Sequence, residues 1–101
     1  MNDFQALCNK LANTSGAIFI KADCYVPAIY NRSVPETASG WASYLLGEAK
    51  MHKDELIPNR KFAYATRYVN FYIGDAAQHT WIEHYRVSYC LNTSRYIWNK
   101  V

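Results

Sequence analysis

Residues 79–84 read His-Thr-Trp-Ile-Glu-His, and two imidazoles beside a carboxylate are residue types that hold zinc or move protons. A zinc-protease helix spaces its histidines four apart, so that both face one ion. Here His79 and His84 are five apart, which sets them on opposite sides of a strand and out of line on a helix. No metal site is expected. The three thiols, Cys8, Cys24 and Cys90, are odd in number and lack ligand spacing. A Cys90–His84 nucleophile pair fails on distance, since six positions of extended chain span about 20 Å, against the roughly 3 Å a dyad needs. The acids are scattered, and neither a phosphate-cradling P-loop nor a Gly-x-Gly-x-x-Gly turn occurs. Residues 60–72, RKFAYATRYVNFY, approach the RNA-recognition signature but lack its glycine. The residues point away from an enzyme, with no catalytic group, metal or cofactor expected. A site assembled from distant residues stays open as an alternative.

Binding chemistry is better represented. Residues 60–73, RKFAYATRYVNFYI, hold five aromatics (Phe62, Tyr64, Tyr68, Phe71, Tyr72) among Arg60, Lys61 and Arg67. Across the chain 16% of residues are aromatic, nine of them Tyr, while only 19% are charged. Tyr combines a rigid apolar body with a polar tip and so suits contact surfaces; it also suits half-buried strand positions. The net charge of +3 is uneven. Residues 1–58 carry five Lys/Arg against six acids, and residues 59–101 carry six against two, together with ten of the sixteen aromatics. Basic and aromatic character therefore coincide after residue 59, a combination that attracts acidic proteins or nucleic acid.

At 101 residues and 50% hydrophobic, the chain is expected to form a single domain, residues 1–101, able to bury a core without disulfides or metal. The lack of an N-terminal apolar segment and the odd cysteine count predict a cytoplasmic protein with reduced, structural thiols. The sequons at Asn13, Asn31 and Asn92 then read as loop chemistry, and Lys53–Leu56 (KDEL) is internal, where it is no retention signal. No run is long and apolar enough to span a membrane.

The elements that must position these side chains follow from periodicity. Phe4, Leu7, Cys8 and Leu11 mark a helix over 3–13, capped by Asp3 and ended by Thr14-Ser15-Gly16. Residues 17–26 alternate as a strand, with Ile18, Ile20, Ala22, Cys24 and Val26 on the core side. A loop at Pro27–Arg32 leads to Ser33-Val34-Pro35-Glu36, a capping box for a helix over 34–54. Its apolar stripe is Ala38, Trp41, Ala42, Leu45, Ala49 and Leu56; Gly40 and Gly47 weaken it, with Gly47 read as allowing close packing. Residues 60–73, 79–91 and 95–101 read as strands joined at Gly74-Asp75 and Asn92-Thr93-Ser94. A helix over 75–88 is the rival. The predicted fold is α+β: a four-stranded, mainly antiparallel sheet with two helices packed on one face, in the order α-β-α-β-β-β.

Parity divides the sheet into two faces. In 60–73 the odd positions are mostly aliphatic and the even ones Tyr-rich, with Arg67 on the wrong side unless a bulge near Thr66–Tyr68 reverses the alternation. In 81–91, Trp81, Glu83, Tyr85, Val87, Tyr89 and Leu91 share the core side, and Ile82, His84, Arg86, Ser88 and Cys90 the other. The last strand adds Tyr96 and Trp98, or Ile97, depending on register. The expected partner-binding residues are Tyr64, Arg67, Tyr68, Tyr72, His84, Arg86, Arg95 and Trp98. They predict a small non-enzymatic inhibitor or adaptor, such as phages and mobile elements encode, that binds a protein through an aromatic and basic sheet face. A homodimer would also cover that face. One alternative is single-stranded nucleic-acid binding through stacked Tyr rings. Another is a small-ligand pocket lined by Trp41, Trp81 and Tyr85 between sheet and helices.

Overall fold

The structure, a computed structural model, describes residues 2–14, 16–23, 28–30, 35–56, 68–76 and 80–101, with backbone alone at 80–82. Helix α1 spans Asp3–Ala12. Its cap is Asn2, one residue earlier than expected, whose side-chain oxygen accepts from the Gln5 N–H at 2.7 Å. Asp3 instead accepts from the Lys100 N–H at 3.1 Å, tying the helix start to the last strand. Strand β1, Ile18–Ala22, buries Ile18, Ile20 and Ala22 as the alternation requires.

The first departure from expectation lies in the supposed loop at 27–32. Ala28–Tyr30 form a short strand, β2, paired antiparallel with β1 through Ile18↔Tyr30, Phe19↔Ile29 and Ile20↔Ala28. Three residues are too few to show a period of two. Pairing and packing place them, with Tyr30 meeting the rings of Trp41 and Tyr44 at 6.4 and 4.6 Å.

The second helix starts later than expected. Helix α2 spans Ala38–Met51, and its cap is Thr37, whose hydroxyl accepts from the Gly40 N–H at 3.1 Å. The capping box is displaced by that contact: Pro35 and Glu36 precede the helix, and Ser33 lies outside the described residues. At His52 the chain turns and resumes as α3, Lys53–Leu56, so the expected single helix is two. His52 is buried at this break, edge-on to Phe71.

Strands β3 (Val69–Asp75), β4 (Thr80–Cys90) and β5 (Arg95–Lys100) complete the chain. The rival helix over 75–88 is overturned. Gly74 and Asp75 are not a turn but continue β3, paired on one side with Phe19 and Ile18 and on the other with Trp81 and Thr80. Among the described residues the sheet is antiparallel throughout and has five strands rather than four, in the order β2-β1-β3-β4-β5. The fold is α+β, with the element order α-β-β-α-α-β-β-β.

The helices cover one face. Leu7, Cys8 and Leu11 of α1, Trp41, Leu45 and Ala49 of α2, and Leu56 of α3 pack with Val69, Phe71, Ile73, Tyr85, Val87 and Trp98 in one core. Among the described residues no helix is long and apolar enough to cross a membrane.

Candidate functional site

Tyr30, Phe71, Tyr85 and Trp98 pack on the helix side, whereas the face opposite the helices carries Lys21 of β1, Asn70 and Tyr72 of β3, His84, Arg86 and Ser88 of β4 and Asn99 of β5. Its central row runs Lys21 (β1), Tyr72 (β3), His84 (β4), directly opposed in the strand register. Tyr72 stacks on His84, centroids 4.3 Å apart and planes 19° from parallel. The Lys21 ammonium lies 6.0 Å from the Tyr72 ring centre. Because β1 and β4 flank β3, Lys21 and His84 approach Tyr72 from opposite sides.

The next row, Asn70 and Arg86, orders the first. Asp23 accepts from both the Asn70 backbone N–H and its side-chain amide, at 3.1 and 3.2 Å. A carboxylate only accepts, so the NH₂ end of the Asn70 amide faces Asp23 and its oxygen faces His84 Nε2, 2.9 Å away. His84 Nε2 must therefore carry the hydrogen. An acid from the end of β1 thus fixes a ring on β4 through one amide.

Arg86 completes a second stack. Its guanidinium carbon lies 4.7 Å from the Tyr68 ring centre, a cation–π arrangement that holds the planar fork in place. Tyr68 is 37% exposed. The two line an open depression of about 320 Å³, together with Ser88, Asn99, Lys100 and Val101. Ile97, opposite Ser88 and 41% exposed, and Arg95, opposite Cys90, extend the face toward the hairpin end.

Of the eight residues singled out in the sequence, Tyr68, Tyr72, His84, Arg86 and Arg95 lie on this face. Tyr64 and Arg67 fall outside the described residues, as does the bulge expected near Thr66–Tyr68 except for Tyr68 itself. Trp98 is a correction. It is 5% exposed on the helix side, with its ring against Phe4, Phe71 and Tyr85. The register Val87↔Trp98 puts it with buried Val87, leaving Ile97 on the open side. Leu91, expected in the core, is 60% exposed in the hairpin turn. The register shifts between Ile73 and Gly74, leaving Ile82 as an extra residue in β4.

The contributors missed as site residues include Lys21, Asp23, Asn70, Ser88 and Asn99. Lys21 and Asn70 do fall on the non-core parity of their segments; only pairing shows that they meet His84 and Tyr72. Trp41 and Tyr85, expected to line a pocket, are packed into the core at 2% exposure, and the side chain of Trp81 lies outside the described residues. Among the described residues no three His, Cys, Asp or Glu side chains converge as metal ligands; His79 lies outside them.

The helix side holds the other ionic feature. Glu83 is buried, with its carboxylate oxygens shared between the Lys10 and Lys100 ammonium groups. Burial pushes its pKa up, but hydrogen bonds and charge from the two lysines outweigh burial and hold it below the usual carboxylate range. Neighbouring Tyr85 is pushed up to about 12, first by burial and then by the Glu83 carboxylate. Burial likewise raises the Cys8 thiol, which makes it inert.

No protein-family model, curated protein or solved structure matches the chain.

Proposed function

We propose that this chain is a small non-enzymatic interaction protein, an inhibitor or adaptor, that binds another protein through the open face of its sheet. The observation that carries this reading is the pair of preassembled stacks, Lys21–Tyr72–His84 and Tyr68–Arg86, on the face the helices leave uncovered. Tyr and Arg dominate the energetic centres of protein interfaces. Rings and forks already held by their neighbours lose little freedom on binding, which is the main cost such a surface faces. The rival reading, single-stranded nucleic acid stacked on Tyr rings, needs open ring faces. Tyr72 has a neighbour on each side, and one side of Tyr68 is taken by Arg86.

The test is capture with the immobilised chain, comparing wild type with a Tyr68→Ala/Arg86→Ala double variant. The double variant should lose a protein that the wild type retains, with its melting temperature within about 2 °C of wild type. A double variant that fails to fold would make these residues structural and end the reading. Titration with a labelled oligonucleotide at two salt concentrations separates the rival, which predicts steeply salt-dependent binding.

A further inference from the structure

The depression beside Tyr68 supports a narrower assignment, which rests on the reading of this face as a protein-binding surface. We infer that it seats a side-chain carboxylate of an acidic segment in the partner, with Arg86 as the group that receives it. Arg86 is exposed and forms no ion pair among the described residues. No Asp or Glu lies outside them either, since all eight occupy described positions. Asp23, the acid of this face, is bound to Asn70, and Glu83 is held by its lysines on the far side of the sheet. Arg86 is thus a cation whose position is fixed by an aromatic ring rather than by a counterion.

The lining specifies which anion fits. Lys100 borders the depression, but its ammonium lies 3.3 Å from a Glu83 oxygen on the helix side, so its charge is directed elsewhere. Among the described lining residues that leaves one guanidinium, with the Ser88 hydroxyl and the Asn99 amide as neutral donors and the Tyr68 ring as a wall. One planar fork with neutral donors matches a singly charged, planar carboxylate, which accepts two parallel N–H bonds from arginine. A nucleic-acid backbone would call for several aligned cations. Among the described residues the other cations of the face, Lys21 and Arg95, stand on β1 and at the far end of β5, separated from Arg86 by uncharged side chains.

The experiment titrates the ¹⁵N-labelled full chain with an octaglutamate peptide, and in parallel with octaglutamine and an eight-residue oligothymidylate. Octaglutamate should shift the Arg86 Nε–H and Asn99 side-chain amide signals saturably, and octaglutamine should not. Arg86→Gln should weaken octaglutamate binding about tenfold. Arg86→Lys keeps the charge without the fork and should weaken it about threefold. Lys50→Gln removes the same charge from the exposed side of α2 and should change it by less than about twofold. The assignment is overturned by unchanged shifts in Arg86→Gln, by an equal loss in Lys50→Gln, or by no shift at all. Tighter binding of oligothymidylate at the same signals would assign the seat to phosphate instead. The broader reading fails separately. A partner lost from the Tyr68→Ala/Arg86→Ala variant but kept by Arg86→Gln leaves the binding face standing and removes only the carboxylate seat.

Discussion

Glu83 shows how far a single residue could be read in advance. Its parity put a lone charge on the core side of its strand, and the structure keeps it there. The sequence held no sign of its partners, because Lys10 lies 73 residues away and meets it only when α1 docks on the sheet. The linkage has a definite sign. A carboxylate whose folded pKa is lowered stabilises the fold above its unfolded value, near 4.3 for Glu, and loses that contribution as pH falls through the folded value. Glu83→Gln should therefore cost about 2 kcal/mol at pH 7, the typical loss of a buried charged hydrogen-bond centre. The two lysines, about half exposed, can turn to water and limit the damage. Urea denaturation at pH 7 and pH 3 checks this: the gap between wild type and variant should narrow at the lower pH. A gap of equal size at both would mean that the carboxylate's charge contributes nothing.

Among the elements, α2 contains two glycines whose substitution should act in opposite directions. A Cβ on Gly47 would meet nothing within 4 Å, so Gly47→Ala should stabilise by about 1 kcal/mol through helix propensity alone. This also removes close packing as the reason for that glycine. A Cβ on Gly40 would stand 2.9 Å from the Pro35 Cβ and 3.2 Å from the Thr37 hydroxyl, both needed where the chain enters the helix. Gly40→Ala should forfeit the propensity gain and lower the melting temperature. Strand β5 gives a sharper contrast between adjacent residues. Trp98→Ala should destabilise by about 3–5 kcal/mol, as loss of a large core ring does. Ile97→Ala should stay within about 0.5 kcal/mol, as exposed positions do. Equal losses at both would refute the register Val87↔Trp98. Long alternating segments were legible for the same reason that this contrast exists: a period of two binds each side chain to one face. The break at His52 and the strand at Ala28–Tyr30 were not, because each is set by contacts with distant elements rather than by local pattern.

For the molecule as a whole, charge counted along the chain and charge displayed on the fold differ. The basic excess after residue 59 suggested a C-terminal binding surface. The structure turns Lys100 to Glu83 on the helix side and brings Lys21, from the acidic half, onto the open face beside Tyr72. The described cations of that face are thus drawn from both halves, a result of the strand order and not of composition. The same order makes stability uneven. Strand β3 lies between β1 and β4, and its Phe71 and Ile73 are fully buried under the helices. Strand β2 is a three-residue edge with Ile29 60% exposed. Amides deep in the sheet exchange only when the whole fold opens, whereas a short edge opens locally. In native-state hydrogen exchange, Phe71 and Ile73 should be among the slowest amides and should track the global unfolding free energy. The slowest amide of Ala28–Tyr30 should exchange about 100-fold faster. Mild denaturant should then accelerate Phe71 and Ile73 steeply and leave the β2 amides almost unchanged, since local opening exposes little new surface. Equal rates and equal denaturant slopes in the two strands would instead make β2 part of the cooperative core.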